Sequence, residues 1–278
     1  MNALYLIDAA VTEANSIKLK FLTADGKIEE VIDADYKPYF LTPHPPTNED
    51  KEVIRYYSGE IETVEKADLF TSERRTLVKV SWPNPKIASK AARRFHQLWE
   101  GEIDFPKSYV YDKGLIFGAL HSEQSLKPIL EASAQVREKF QENFRELETK
   151  DSLKCSQILH WFNLLLQPIP KLSSEFFGVK ETVQERVYSA WMLSRLANIP
   201  LTEALTSRHV SDWIKSIIYT HLRGNNVLMP TSEELRRGKP THRVVGALTV
   251  SPTPGIYFNT VVCDFESLYP SCIDSFNL

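Results

Sequence analysis

Short apolar runs separated by turn residues dominate the first third of the chain. The Ala-Asp-Gly triplet at 24–26 stands between two such runs, and an Asp-Lys-Gly triplet at 112–114 interrupts a third, as hairpin turns do. The segment from Lys37 to Leu41 leads into Pro43-His44-Pro45-Pro46, which is too rich in proline for a helix or a central strand. The runs rich in β-branched and aromatic residues predict strands at 4–7, 17–22, 77–80 and 109–117.

A helical period replaces this alternation in four other segments. Asn84 and Pro85 have the composition of an N-cap and a first helical position, and the apolar residues after them recur at helical spacing until Gly101. The same period predicts a long amphipathic helix from Ser125 to Leu147. Two further helices are predicted, one over 183–194 that ends at Asn198-Ile199-Pro200, and one over 210–218 that is closed by Gly224-Asn225-Asn226.

After Gly224 the chain becomes irregular and basic, and strands are predicted at 244–250 and 260–265 around a turn at 252–255. The order of elements predicts an α+β fold with plausible boundaries near residues 121 and 180. We therefore expect a β-rich N-terminal domain over 1–120, a helical connector over 121–180, and a third part over 181–278.

Composition adds exclusions but no function. Hydrophobic residues make up 42% and charged residues 25% of the 278-residue chain, as in ordinary globular proteins. The first residues lack the pattern of a signal peptide, and no apolar run reaches the length of a membrane span. Three cysteines and scattered histidines favour a reducing compartment without a structural zinc site. These features predict a cytoplasmic protein that does not span a membrane.

The net charge of −3 does not indicate a nucleic-acid-binding protein, although basic residues cluster locally. Arg93 and Arg94 are adjacent, and other groups lie at 74–79 and 236–243. A solvated protein face explains any one of these clusters equally well.

Asp264 lies at the end of the predicted apolar strand over 260–265. A carboxylate in this position suits a magnesium ion that also carries substrate phosphates, and two such ions can hold both oxygens of an in-line displacement. An aspartate after a strand more often caps the next turn, so this position alone is a weak signal.

The full string around Asp264 carries more information. Residues 264–271 read D-F-E-S-L-Y-P-S, which resembles the first polymerase motif of family B DNA polymerases, D-F-x-S-L-Y-P-S. The resemblance implies that Asp264 is catalytic and binds Mg²⁺, with the Phe265 carbonyl as a further metal ligand. It also implies that the backbone at Ser267 and Leu268 holds the nucleotide triphosphate, and that the Tyr269 ring lies under the sugar and excludes a 2′-hydroxyl.

Residues before this motif resemble the archaeal members of the family. Residues 246–255 follow the G-G-x-V-x-x-P-x-x-G approach to the motif, and Gly246 and Ala247 match an element that contacts the template strand, although Val244 replaces its tyrosine. Four basic residues just ahead of the motif are candidates for DNA phosphate contacts: Arg236, Arg237, Lys239 and Arg243.

Two upstream segments, 37–40 and 109–115, resemble the N-terminal domain of archaeal members. In some of those enzymes this domain has a pocket for deaminated template bases, and Pro38 and Tyr39 fall on matching positions. A plain packing role for both residues is the alternative interpretation.

The resemblance also predicts what this stretch of sequence lacks. Residues 121–180 read as helix, contain no D-x-E triplet and are few for a nuclease domain, so we expect the proofreading exonuclease to be absent or reduced to a remnant. The family's second aspartate pair and its fingers lysine lie downstream of the first motif, so we expect this polypeptide alone not to extend a primer. A split gene, an incomplete gene sequence and a shortened polypeptide all remain open as explanations.

Three hypotheses follow. The chain is part of a DNA-directed DNA polymerase whose third part, 181–278, begins the polymerase palm and which acts by two-metal phosphoryl transfer without proofreading. Alternatively, it is a non-catalytic paralogue that binds primer-template DNA or recruits replication partners. An unrelated α/β protein with an accidental motif is the third. The first hypothesis implies as partners primer-template DNA, deoxynucleoside triphosphates and a sliding clamp. It also implies that a second polypeptide or a missing C-terminal part carries the fingers, the remaining palm and the thumb.

Overall fold

The computed structural model describes residues 4–169, 184–206, 209–237, 251, 253–261, 263–265 and 267–276. The chain forms two compact units, Met1–Arg237 and Gly238–Leu278. The first unit combines two antiparallel sheets with helices. The predicted α+β fold is thus confirmed, while the predicted division at residues 120 and 180 stays a prediction.

The first sheet has four antiparallel strands in the order β3-β2-β1-β7. Gly26 has a φ of 85°, which a glycine adopts without strain, and forms the turn between β2 and β3 where the hairpin was predicted. Leu4 and Leu6 of β1 pack in one core and Tyr5 and Ile7 in another, so both faces of β1 are covered. The strands are β1 (Leu4–Val11), β2 (Ile17–Thr23), β3 (Ile28–Asp33) and β7 (Leu120–His121).

The second sheet has three antiparallel strands in the order β4-β6-β5. The sequence predicted the central strand, β6, but not its neighbour β5. Most side chains of β5 are exposed and four of its residues are charged, so the strand lacks the apolar alternation on which the prediction rests. The strands are β4 (Tyr39–Pro43), β5 (Glu60–Ala67) and β6 (Arg74–Ser81).

Nine described helices belong to the first unit and one to the second. The first three are α1 (Asn48–Tyr56), α2 (Pro85–Ala92) and α3 (Phe105–Asp112). They are followed by α4 (Ala134–Lys150), α5 (Ser152–Leu166), α6 (Gln184–Ala197), α7 (Leu201–Thr206), α8 (Val210–Gly224), α9 (Ser232–Arg237) and, in the second unit, α10 (Leu268–Phe276). None of the helices in the described ranges is both long and apolar enough to cross a membrane.

Helix α2 begins where the sequence predicts it. The side chain of Asn84 accepts a hydrogen bond of 2.9 Å from the Ile87 N–H, and Pro85 occupies the first turn. The helix ends at Ala92 rather than continuing to Gly101, and the predicted helix was therefore too long at this end.

The predicted strand over 109–117 is wrong, because residues 105–112 form α3. Pro106 stands in the first turn of this helix, and Tyr109, Val110 and Tyr111 are all buried against the first sheet and α8. A helix that is enclosed on most sides needs apolar residues at consecutive positions, so its sequence has no amphipathic period and resembles that of a strand.

The helix predicted from Ser125 begins nine residues later, at Ala134. Leu126 has a φ of 53° and Pro128 pairs with His121 in an isolated β-bridge, so the chain at this point extends the edge of the first sheet. The Ile129 N–H donates a 2.8 Å hydrogen bond to the Leu120 carbonyl. Pairing with the sheet thus replaces the first turns of the predicted helix.

The strand predicted over 260–265 is also wrong for the residues that the structure describes there. None of these residues forms a strand, and Val261 and Phe265 are 83% and 77% exposed. Apolar β-branched residues form a strand only when neighbouring strands pair with them, and no described strand does so here. The strand predicted at 244–250 lies outside the described residues.

Helix α6 fastens the middle of the chain to the first sheet. Trp191 is fully buried, and its indole N–H donates a 2.8 Å hydrogen bond to the Gly118 carbonyl. Arg195 donates to the same carbonyl at 2.7 Å. Gly118 has a φ of 70°, and a Cβ there would lie 3.0 Å from the Arg195 side chain. This close approach explains why a glycine stands at this position.

Candidate active-site segment and the N-terminal pocket

Asp264 lies in an exposed segment ahead of helix α10. One carboxylate oxygen of Asp264 accepts a 2.8 Å hydrogen bond from the N–H of Phe265. No ion pair engages this carboxylate within the described part of the chain. Its second oxygen is therefore open to a ligand from outside the described residues.

Helix α10 begins directly after this segment, at Leu268. Ser267 precedes it with a φ of 52°, and the Ser267 carbonyl accepts a 2.9 Å hydrogen bond from the Ser271 N–H. The first N–H groups of any helix have no partner within the helix, and they form a natural site for phosphate oxygens. Tyr269 lies in this first turn with 75% of its side chain exposed.

Among the described residues from 253 to 267, Asp264 is the only carboxylate. No three His, Cys, Asp or Glu side chains of the described residues are grouped so as to hold a metal ion. Magnesium in phosphate-transferring sites is commonly held by one or two carboxylates together with substrate phosphates. The open Asp264 carboxylate therefore fits one protein ligand of such an ion.

The predicted DNA contacts before the motif are described only in part. Arg236 and Arg237 lie at the end of α9, and their side chains are outside the description. Lys239, Arg243, Gly246 and Ala247 also lie outside the described residues.

Pro38 and Tyr39, the two residues predicted to form a template-base pocket, line a cavity of about 350 Å³. Helices α2 and α3 and strands β1 and β4 contribute to its walls. Phe105 and Ser108 come from α3, and Ala88 comes from α2. Both predicted residues therefore lie at one concave site.

The ring of Tyr39 is also held by cations. The Lys79 ammonium lies 4.5 Å and the Arg223 guanidinium 5.0 Å from the ring centroid. The Tyr39 hydroxyl donates a 3.0 Å hydrogen bond to Asp112. Burial raises the pKa of Tyr39 well above its usual value, so its hydroxyl is protonated and a donor at neutral pH.

Arg223 is the centre of a buried ionic network beside this pocket. Its guanidinium contacts Asp112 and lies 2.8 Å from Glu100, whose other oxygen accepts a 2.9 Å bond from Lys66. Burial lowers the pKa of Arg223, but the neighbouring Glu100 and the other acidic groups outweigh it and raise the pKa. The network connects α8, α3, β5 and the segment after α2.

Sequence reasoning missed this network entirely. Asp112 stands within a predicted turn and Arg223 directly before another, and Glu100 and Lys66 are isolated charges without any shared motif. A buried charge can be recognised only once the fold shows that it is buried, because charged residues in sequences are mostly exposed.

Two D-x-E triplets occur in the chain, and neither lies on a described strand. The triplet at 50–52 belongs to α1, where Asp50 accepts a 3.1 Å hydrogen bond from the Thr47 N–H as part of a capping box. The other triplet begins at Asp264, within the polymerase-like string, and its Glu266 lies outside the described residues.

Comparison with known proteins shows what the C-terminal segment is similar to. Residues 199–278 match the family model of DNA polymerase family B. The chain is 38% identical over 99 residues to DNA polymerase 1 of Sulfolobus acidocaldarius, and 35% identical over 96 residues to DNA polymerase 1 of Saccharolobus solfataricus. Each match covers 31% of this chain and 11% of the relative, so the chain spans only a small part of the length of these curated relatives.

The fold extends the similarity to the N-terminal part. The structure of the family B DNA polymerase from the hyperthermophilic archaeon Pyrobaculum calidifontis superposes with a TM-score of 0.58 and 14% sequence identity. The match covers 99% of this chain and 57% of that polymerase. Residues 199–278 are therefore similar to DNA polymerase family B, and the chain resembles in fold the matching part of this family B polymerase.

Proposed function

We propose that this chain is part of a DNA-directed DNA polymerase that adds deoxynucleotides to the 3′ end of a primer. One observation carries the proposal: the string at 264–271 reads as the first polymerase motif and lies within the segment that matches DNA polymerase family B. The exposed position of Asp264 supports a role in binding from solvent rather than in packing.

In this proposal the Asp264 carboxylate and the Phe265 carbonyl hold Mg²⁺. When bound, the metal ions neutralise charge on the triphosphate and orient the attacking and leaving oxygens. The hydrogen bond from the Phe265 N–H fixes one oxygen of Asp264 and leaves the other free to bind the metal. Asp264 supplies one carboxylate of the site, and further carboxylates must complete it.

The start of α10 binds the incoming nucleotide in this proposal. The backbone at Ser267 and Leu268 holds the triphosphate, as helix N-termini hold phosphate groups. The Tyr269 ring lies under the deoxyribose and excludes ribonucleotides because a 2′-hydroxyl would collide with it. Its large exposed fraction leaves the ring face available for such a contact.

We further propose that DNA binding is directed mainly at the phosphate backbone, since a polymerase must accept any sequence. Arg236, Arg237, Lys239 and Arg243 contact phosphates, so binding weakens steeply with salt. Gly246 and Ala247 contact the template strand. The cavity beside Pro38 and Tyr39 receives deaminated template bases.

The remaining features of the proposal concern what completes the enzyme. A proofreading exonuclease is absent or reduced to a remnant over 121–180. The fingers, the rest of the palm and the thumb come from a second polypeptide or from a further part of the same protein. A sliding clamp is another partner, and the protein works at the nucleoid in the cytoplasm. The 278-residue polypeptide alone does not extend a primer, because one carboxylate does not hold two metal ions.

The central test is primer extension by the polymerase assembled from this chain and the polypeptide that carries the remaining palm. Asp264→Ala should lower the magnesium-dependent rate by at least about 10²-fold, since it removes a ligand of the catalytic metals. Asp274→Ala is the matched control, because Asp274 is an exposed aspartate of α10, and its rate should stay within about twofold of the parent's, as surface substitutions are nearly neutral.

No extension by the parent assembly, with DNA binding retained, would establish the non-catalytic paralogue instead, and equal measurable rates for the parent and Asp264→Ala would contradict the role of Asp264. In the same assay Tyr269→Ala should raise ribonucleotide incorporation by about tenfold or more, because it removes a steric clash. The isolated 278-residue chain provides a separate arm, and robust metal-dependent extension by it would contradict the proposed need for a second polypeptide.

A further inference from the structure

Helix α2 and the two residues beyond it present a one-sided row of cations to solvent. Residues 85–96 contain Lys86, Lys90, Arg93 and Arg94 and no acidic residue, in a chain whose net charge is −3. All four side chains are exposed. We call these four residues the α2 basic stripe.

The stripe follows from helical spacing. Lys86, Lys90 and Arg93 stand four and three residues apart, so they lie on one face of the helix. The rise of 1.5 Å per residue spreads the stripe over about 12 Å. The opposite face of α2 packs on the second sheet, where Ala91 is fully buried.

These cations are not used to stabilise the fold. Lys86, Lys90 and Arg93 form no ion pair or side-chain hydrogen bond with any residue that the structure describes. Lys86 lies in the first turn of α2, where the helix dipole disfavours a positive charge. The dipole favours Lys90, in the last turn, but not Lys86. Helix stability therefore does not explain the whole row, whereas a polyanionic partner matches all four charges.

Aromatic rings flank the stripe. Tyr56, at the end of α1, is 73% exposed, and the Arg94 guanidinium lies 5.6 Å from its ring centroid and 5.3 Å from that of Tyr57. A row of cations beside an exposed ring is the combination that binds single-stranded nucleic acid, because the cations hold phosphates while bases stack on the ring. An acidic protein segment would match the charges but would leave the ring without a role.

Helix α2 also borders the cavity of about 350 Å³, to which it contributes Pro85, Ala88 and Ser89. A strand held along the stripe would therefore run beside a concave site. The acidic residues of the adjoining helix do not cancel the stripe, since Asp50 belongs to the capping box and Glu49 lies 3.2 Å from His96. Glu52 is the remaining acid of α1, which also carries Lys51 and Arg55.

We propose that the α2 basic stripe, together with Tyr56, is a binding surface for single-stranded DNA. The surface lies in the first unit, outside residues 199–278 that match the polymerase family, and its role does not depend on Asp264. It rests on the proposed function only for the choice of DNA as the polyanion.

Fluorescence anisotropy with a labelled single-stranded DNA of mixed sequence tests the proposal on the 278-residue chain. The parent should bind, and the triple variant Lys86→Glu, Lys90→Glu, Arg93→Glu should bind at least tenfold more weakly. The slope of log affinity against log salt should become shallower by about 2, because each cation that neutralises a phosphate of a single strand adds about 0.7 to that slope.

A second triple variant with the same change in charge is the matched control. Lys139→Glu, Arg145→Glu and Lys154→Glu alter three exposed cations of α4 and α5. The control changes the net charge by as much as the stripe variant does, but away from the stripe. It should bind DNA within about twofold of the parent, because salt screens charges that are distant from the bound DNA. Equal losses for the two triple variants, or no binding by the parent, would overturn the proposal.

Two substitutions of Tyr56 test the contribution of its ring in the same binding assay. Tyr56→Ala should weaken binding about fivefold or more because the bases no longer stack on the ring, whereas Tyr56→Phe keeps the ring and should bind like the parent. Poly-glutamate that displaces the DNA as effectively as an unlabelled oligonucleotide of equal charge would show an acidic-protein site and refute the DNA assignment. DNA binding tests the stripe and primer extension tests the active site, so failure of the one and failure of the other are distinguishable.

Discussion

Charged residues in this chain serve two opposite purposes, which Asp264 and Arg223 illustrate. Asp264 is exposed and has one oxygen without a partner among the described residues, so its charge is available to a ligand. The Arg223 side chain is only 3% exposed, and its guanidinium forms ion pairs with Glu100 and Asp112. Substitution of the first residue should therefore affect chemistry, and substitution of the second should affect stability.

Arg223→Ala should destabilise the protein by about 3–5 kcal/mol, because it removes one of the two cations that pair with the buried Glu100 and leaves only Lys66. Arg223→Lys should cost less, since it keeps a positive charge but cannot contact Glu100 and Asp112 with a planar fork. Urea unfolding measures both. Arg55→Ala, at an exposed arginine of α1, serves as the control and should change the free energy of unfolding by less than about 0.5 kcal/mol. An equal effect of Arg55→Ala and Arg223→Ala would refute the stabilising role of the network.

His121 makes the stability of the fold dependent on pH. The residue is fully buried, and burial lowers its pKa to about 4 from an unfolded value of 6.5. The folded state therefore keeps the ring neutral where the unfolded state binds a proton. This contribution to stability is complete above pH 6.5 and is lost as the pH falls towards 4.

Lowering the pH from 7 to 5 should cost about 2 kcal/mol through His121 alone. The measurement is the free energy of unfolding at both pH values for the parent and for His121→Gln. The variant should be less stable at pH 7 but should lose less on acidification. His96→Gln, at an exposed histidine, should retain the parent's loss. Identical pH dependence in the parent and in His121→Gln would show that His121 does not carry the effect.

The motif at 264–271 can be recognised from the sequence, whereas the ionic network around Arg223 cannot. The motif residues are consecutive, so their order is visible in the chain itself. The members of the network come from positions 66, 100, 112 and 223, and nothing in their local sequence connects them. Only the fold brings them together.

The amino-acid sequence predicts a helix end well where a side chain next to that end forms the cap. The cap of α2 was predicted from Asn84 and Pro85, and the structure confirms the Asn84 hydrogen bond. Helix α3 was mistaken for a strand, because its buried aromatic and β-branched residues reflect its surroundings rather than its local preference. The start of α4 was misplaced because the preceding residues pair with β7 instead.

Helix α1 offers a test of a local cap. The Thr47 hydroxyl accepts a 3.1 Å hydrogen bond from the Asp50 N–H, and the Asp50 carboxylate accepts one of equal length from the Thr47 N–H. Thr47→Ala should therefore lower the free energy of unfolding by about 1 kcal/mol, whereas Thr47→Ser should be nearly neutral. Chemical denaturation checks both. A neutral effect of Thr47→Ala would mean that packing of Ile54 on the sheet alone holds the helix.

The molecule as a whole contains two compact units, and the first has its own hydrophobic cores. One core lies between the first sheet and α3, another lies on the second sheet under α1 and α2, and a third joins β1 to α6 around Trp191. The described residues of the second unit are almost all exposed.

A polypeptide of residues 1–237 should therefore fold on its own. Its thermal midpoint should lie within about 2 °C of that of the full chain, a shift that corresponds to about 0.5–1 kcal/mol. Its near-ultraviolet circular dichroism spectrum should have the same shape as that of the full chain. It should also keep the binding of single-stranded DNA that we propose for the α2 basic stripe. Aggregation or loss of cooperative unfolding in the shorter chain would show that residues 238–278 contribute to the first unit.

The sequence by itself determined the features that depend on neighbouring residues: the hairpin at Gly26, the start of α2, the α+β composition and the order of residues in the motif at Asp264. The tertiary structure alone decided which charges are buried around Arg223, that residues 105–112 form a helix, and that Lys86, Lys90 and Arg93 face solvent without acidic partners in the described part of the chain. The physical reason is the distance along the chain between the residues that interact. Turns and caps form bonds within a few residues, whereas burial and pairing depend on contacts between distant parts of the chain.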